Sequence, residues 1–268
     1  MRRRAFEELE SQEAATRTTN VSGVHSSSSG AASDERASIG SIPVAELAAD
    51  FQPIVNLHTG ETCGYEVLPR CMLEELAEPA ELYARAMFEK TVGELGRAIR
   101  TIAVRECPAA ALYLPLHPGE LKDRHLIRPD DPICSHDAQI FFQLSQSSLS
   151  SVALQMLREL SARGGIGLAV DDLGAGPATL KQLVELSPSV VKIDRELVAG
   201  LDHSARKQIV VRALVTMGEQ LGARVMAKGL DTEAALETAM ACGVVYGQGA
   251  VLGEPTPMPA ISIWPPAT

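Results

Sequence analysis

Apolar residues recur along this chain in two rhythms, and the switch between them divides it into short strands and amphipathic helices. The plainest instance is 167–198, GLAVDDLGAGPATLKQLVELSPSVVKIDRELV. The run 166–170 is apolar and too short for a helix, and it ends in Asp171 and Asp172 before a turn at Gly174 and Gly176. A helix is predicted over 178–186, stopped by Pro188, and a β-branched strand over 189–193 carries Lys192, with Asp194 just beyond it. A crossover this short joins parallel neighbours, so Asp171, Asp172, Lys192 and Asp194 are expected at one edge of one sheet. Parallel α/β folds keep their chemistry at that edge.

The same reading extends in both directions. Order is expected from about Pro43, with a short helix over VAELAA, then strands at 51–57 (FQPIVNL) and 62–68 joined by a turn at 58–60. Two adjacent strands with a tight connection make an antiparallel hairpin, which places His58 at the surface. Helices are predicted at 80–91, 94–106, 149–162, 205–221 and 232–241, and strands at 111–116, 139–144, 224–227 and 244–246. Six or seven strands alternating with helices over this length favour a closed α/β barrel over an open sheet. Ahead of it, 1–41 is rich in Ser, Ala, Glu, Thr and Gly and is expected to be a disordered tail. The domain is expected to fill 42–262, with a short tail at 263–268.

Composition narrows the classes. With 46% hydrophobic residues in 268, a sizeable core can form. A net charge of −10, from 34 acidic and 24 basic residues, argues against a nonspecific grip on nucleic acid or an anionic membrane. No stretch approaches the roughly 20 apolar residues of a membrane span. The five cysteines are scattered without a C-x-x-C, which suggests reduced core thiols in a cytoplasmic protein.

Five stretches carry a resemblance. QPIVNLHTGETCGYEVLPR, AVDDLGAG, VKIDRELV, AKGLDTEAAL and YGQGAVLGEP, in this order and at these separations, resemble the successive signatures of the EAL domain, covering 45–255. That resemblance implies a modified TIM-like (β/α)8 barrel whose first strand runs antiparallel to the rest, and hydrolysis of cyclic di-GMP. Members of the family that cut the nucleotide hold two divalent cations, Mg²⁺ or Mn²⁺, on carboxylates and one asparagine at the strand ends; paired cations stabilise both the attacking and the leaving oxygen.

Carried over position by position, Glu66 stands for the motif glutamate, with Val67 in place of alanine. Asp171 and Asp172 match the metal-bridging pair, Lys192 the lysine of K-I-D and Gln248 the glutamine of the terminal Q-G. Other positions depart. Pro115 stands where V-N-L-S has its metal-binding asparagine, Gln143 and Gln146 replace both charges of E-x-T-E, and Lys228 replaces the first glutamate of E-G-V-E. Exchanging two carboxylates for an amide and an ammonium shifts the formal charge of the site by three units, which weakens its attraction for divalent cations. No competent catalytic set is therefore expected, only the remnants Glu66, Lys192 and Gln248, with no cofactor unless hydrolysis is retained, in which case Mg²⁺ or Mn²⁺.

The implied function is that of a cyclic di-GMP receptor or signalling adaptor acting with an effector protein, similar to family members that bind the nucleotide without cutting it. Gln52, Glu66, Val67, Leu68, Arg70, Asp171 and Lys228 are the residues placed around the nucleotide. A scaffold that binds no nucleotide and a residual phosphodiesterase are the alternatives. The family also pairs through the helix after the DD loop, here 178–186, so a homodimer is a further implied partner, although Leu173, Ala175 and Pro177 replace family residues in that loop. Simpler roles stand beside these. Asp171 and Asp172 would cap the following helix, Lys192 would pair with Asp194 or the acidic pair, and His117 would be a polar rim residue instead of a substitute metal ligand. Lys228 either turns into solvent or takes the place of a metal's charge against the aspartates or a phosphate.

Overall fold

The computed structural model describes residues 38–122, 130–144, 151–174, 179–262 and 264. The tail expected over 1–41 therefore lies outside the described residues up to 37, and so do Gln146 and the Ala175–Pro177 departures. From Ser38 the chain is already paired: β1 (Ser38–Ile39) and β2 (Ile42–Pro43) form a small antiparallel ladder, with Ile39 and Ile42 buried. Ser41 ties this ladder to the first long helix, donating from its amide and hydroxyl to the Glu89 carboxylate.

Eight further strands close a barrel in the order β10–β3–β4–β5–β6–β7–β8–β9. They are β3 (Leu47–Asn56), β4 (Thr62–Cys71), β5 (Leu112–Pro115), β6 (Ile140–Leu144), β7 (Gly167–Leu173), β8 (Val190–Ile193), β9 (Arg224–Ala227) and β10 (Tyr246–Gly247). Strand β3 is antiparallel to both its neighbours, β4 and β10, and every other pair is parallel. The barrel is thus the modified α/β barrel with an antiparallel first strand that the sequence implies. Its hairpin is set by Asn56, whose Oδ1 accepts from the amides of His58 and Thr59 and starts the turn.

The helix expected over VAELAA does not form. Only Val44–Glu46 makes a single 3-10 turn, and Leu47 to Asp50 extend β3 because each residue pairs with one of Leu68 to Cys71. Cross-strand pairing overrides the local helix preference of these residues. Around the barrel lie α1 (Pro79–Glu89), α2 (Val92–Glu106), α3 (Ser151–Gly164), α4 (Thr179–Leu186), α5 (Arg195–Val198), α6 (Ala205–Gln220) and α7 (Glu233–Ala241). Helix α2 shows why they dock: Val92, Leu95, Ile99, Ile102 and Ala103 repeat at helical spacing and are all buried. Helix α4 leaves Leu180 and Val184, one turn apart, exposed.

The core has an outer and an inner part. Val67, Leu114, Phe142, Leu168, Val170 and Val191 face the helices in the outer layer. Ile54, Tyr113, Phe141, Ala169, Val190 and Met226 fill the barrel itself, with the Tyr113 and Phe141 rings stacked 4.4 Å apart. Side chains alternate along a strand, so the next inward positions above this plug are Gln52, Glu66, Pro115, Gln143, Asp171, Lys192 and Lys228. The fold thereby gathers polar residues from six strands, and Pro115 from a seventh, at one mouth. Of the cysteines, Cys71, Cys107 and Cys242 are buried and Cys63 and Cys134 half-buried.

Candidate functional site

Glu66 is the centre of this mouth. Its side chain is buried, and both of its oxygens are engaged. Oε1 accepts from Gln143 Nε2 at 2.7 Å; Oε2 accepts from Gln248 Nε2 and lies 2.9 Å from the Lys192 ammonium. Burial alone would raise this carboxyl. The Lys192 charge and the donors on Gln143 and Gln248 outweigh it and hold Glu66 down at about 2. The web continues sideways, since Gln248 Nε2 also donates to Gln52 Oε1 at 3.0 Å and Gln52 Nε2 donates to the Gly253 carbonyl at 3.3 Å. Gln52 and Glu66 are direct partners across the β3–β4 hairpin.

Lys192 is fully buried beneath Glu66, with its Nζ 5.7 Å from the centre of the Tyr113 ring. It pairs with Glu66 and not with Asp194, whose carboxylate instead caps α5 by accepting from the Glu196 amide at 2.8 Å. Although its Nζ is close to Glu66 Oε2, it meets no directional hydrogen-bond geometry. Among the described residues, the buried amide oxygens Gln143 Oε1 and Gln248 Oε1 likewise receive no donor.

On the far side of the mouth, Lys228 turns inward. Its Nζ lies 2.8 Å from Asp171 Oδ1 and 2.8 Å from Asp172 Oδ1. Burial works against this ammonium, yet the two aspartates and Glu66 hold its pKa above the ordinary lysine range, so it stays charged. Adjacent residues of a strand normally face opposite ways, and here the register breaks between Val170 and Leu173 while Asp172 takes φ 55°. That bulge turns both carboxylates onto one point. The loop that delivers Lys228 is pinned by backbone bonds from Leu230 N to the Gln248 carbonyl and from Gln248 N to the Ala227 carbonyl. Gly249 permits this approach, because a Cβ there would collide with the Leu230 backbone.

The other expected site residues fall into two groups. Leu68 is half-buried on the inward face, and Arg70 reaches the rim, where Nη1 donates to Asp50 at 2.7 Å while the side chain stays 53% exposed. Val67 faces the opposite way; its side chain is packed in the outer core, so only its backbone borders the mouth. His117 leaves the site altogether. Its ring stacks on Tyr83 at 5.4 Å, its Nδ1 accepts from the Gly119 amide, and burial lowers its pKa, all marks of a local structural role. Asp50 and Tyr113 belong to the surroundings of the mouth without having been singled out. Asp50 joins the face of Gln52 only because β3 extends back beyond the strand expected over 51–57, and Tyr113 carries no signal beyond an apolar run.

These contacts decide whether divalent cations fit. Such cations need several charged or carbonyl oxygens free to coordinate. Pro115 offers none, Gln143 turns its Nε2 onto Glu66, both Glu66 oxygens are taken, and an ammonium stands between the aspartates. Among the described residues, no group of three or more His, Cys, Asp or Glu side chains is arranged to hold a metal ion. The residues present do not fit a two-cation centre.

Comparison with known proteins settles the family. The EAL domain profile matches residues 41–255. The chain belongs to the EAL domain family. It is 26% identical over 227 residues to the cyclic di-GMP phosphodiesterase RocR of Pseudomonas aeruginosa, a match covering 79% of the chain and 58% of RocR. Three longer relatives are spanned over only 27 to 31% of their length. Among solved structures, the MucR phosphodiesterase in complex with cyclic di-GMP is 25% identical with TM-score 0.68, over 81% of this chain and 93% of the solved chain. The FimX EAL domain of Pseudomonas aeruginosa bound to cyclic di-GMP shares the fold, with TM-score 0.72 and 20% identity over 82% and 95% of the two chains. This EAL domain is therefore related to cyclic di-GMP phosphodiesterases and to cyclic di-GMP-binding EAL structures. Among the described residues, no helix is long and apolar enough to cross a membrane.

Proposed function

We propose that this EAL domain is a cyclic di-GMP receptor that holds the nucleotide without hydrolysing it and passes the signal to an effector protein. The observation that carries this reading is the saturation of Glu66. A carboxylate held by Gln143, Gln248 and Lys192 must shed donors before it can ligate a metal, and each lost bond inside a buried site carries a desolvation penalty. The motif glutamate thus works as a buttress that fixes Lys192 and the two amides. Ligand contact falls to groups that look into the mouth: Gln52, Leu68, the Arg70 guanidinium and the Lys228 ammonium, with the Val67 backbone and the aspartate pair at its edge. Two phosphodiester groups would meet the positive charge of Lys228 and Arg70.

The test is a product assay. Incubated with cyclic di-GMP in Mg²⁺ or Mn²⁺ and separated by chromatography, the protein is expected to yield no linear dinucleotide above background. Turnover that disappears in a Glu66→Ala variant would show the reading to be wrong.

A further inference from the structure

We infer that Lys228 is a resident cation, an ammonium built into the chain that fills a single divalent-cation site which Asp171 and Asp172 would otherwise form. The inference goes beyond nucleotide binding and stands whether or not a nucleotide is the ligand. Its first support is convergence. The bulge at Asp172 brings two neighbouring carboxylates to 2.8 Å from one nitrogen, so the backbone is shaped to present two anionic oxygens to one positive centre. A distance of 2.8 Å is that of a charge-assisted hydrogen bond, whereas Mg²⁺ sits at about 2.0–2.1 Å from its oxygens. Closing the two carboxylates onto a metal therefore asks for less than about 1 Å of movement.

The second support lies around the pair. Among the described residues, the buried Gln143 and Gln248 each carry an amide oxygen with no donor, and both donate their amide nitrogen to Glu66, with Gln143 on the strand paired to the one that ends in the aspartates. Neutral oxygens of this kind are acceptable cation ligands directly or through water. The third is charge. Glu66, Asp171 and Asp172 face Lys192 and Lys228, which leaves the mouth one negative charge from neutral. Removing the Lys228 ammonium doubles that excess and vacates the point where it is strongest. Charge count governs such sites, so one substitution switches the mouth from repelling to attracting a divalent cation.

The experiment is a Mn²⁺ titration of the full chain without nucleotide, read by the loss of the free-ion electron paramagnetic resonance signal. The parent is expected to leave Mn²⁺ free up to about 1 mM. Lys228→Met and Lys228→Ala are expected to bind one Mn²⁺ per chain with affinity raised at least about 100-fold. Adding Asp171→Asn to either variant should return it to the parent behaviour. A variant that unfolds in EDTA and is restored by Mn²⁺ meets the same expectation. Equal Mn²⁺ binding by parent and variants, no gain in the variants, a gain that survives Asp171→Asn, or a variant unfolded in EDTA and not restored by Mn²⁺ would each overturn the inference.

Discussion

Replacing Arg100 by methionine is expected to remove about 3–5 kcal/mol of folding stability, the largest effect of any single substitution proposed for this chain. Arg100 lies on the core face of α2 and is 1% exposed. Its Nη1 donates to Glu120 Oε2 at 2.7 Å, and its Nε and Nη2 donate to Asp131 Oδ2 at 3.1 and 2.9 Å. Both acids are themselves buried, and each holds loop backbone as well: Glu120 Oε1 accepts from the His117 amide and Asp131 Oδ1 from the Ile133 amide. Methionine keeps the volume and removes the charge, which strands two carboxylates out of water. The loss should appear in urea unfolding and as a fall in Tm of roughly 10 °C for a domain of this size. Adding Glu120→Gln and Asp131→Asn to Arg100→Met should recover part of it, because replacing a buried ionic group by neutral partners is far milder than breaking it. A loss below about 1 kcal/mol for Arg100→Met would mean that the triad is not buried as described.

Lys192→Met should have an effect of similar size, with a characteristic dependence on pH. Glu66 holds a folded pKa of about 2 against 4.5 when unperturbed. A carboxyl depressed on folding contributes stability that is fully present above its unfolded pKa and is lost as pH falls through the folded one. Burial opposes the ionised form, and the ammonium is the strongest counterweight, so without it the carboxyl rises. The deficit of Lys192→Met relative to the parent should therefore be full at pH 5–7, about 3 kcal/mol, and shrink as pH falls from about 4.5 toward 2. Urea midpoints of the two proteins at pH 7 and pH 3 test this. A deficit that does not change with pH would contradict the Glu66–Lys192 pairing.

Much of this architecture is legible in the sequence because its carriers are local. Strand β9 falls where the apolar run ARVMA ends in Lys228, and α7 begins after Thr232, whose hydroxyl accepts from the Ala235 amide as an N-cap. The inward set at the mouth follows from alternation once the strands are placed. What the pattern could not reveal are contacts between residues far apart in the chain. Arg100 meets Glu120 and Asp131 across 20 and 31 positions, and nothing in an amphipathic helix marks its one buried arginine. Gln143 and Gln248 looked like replacements or remnants and are donors to Glu66 across 77 and 182 positions. Locally ambiguous stretches failed for a different reason. VAELAA has helix-forming composition, yet only its first three residues make a 3-10 turn and Leu47–Ala49 become strand because β4 is there to pair with them.

The claim at the centre of this account is that the mouth of the barrel takes its ligand with its own cationic side chains, Lys228 and Arg70, and without metal. Isothermal titration of the full chain with cyclic di-GMP, once in Mg²⁺ and once in EDTA, tests it most directly. The account predicts saturable binding in both buffers with affinities equal within about twofold. Binding that appears only in Mg²⁺, or no binding in either buffer, would contradict it.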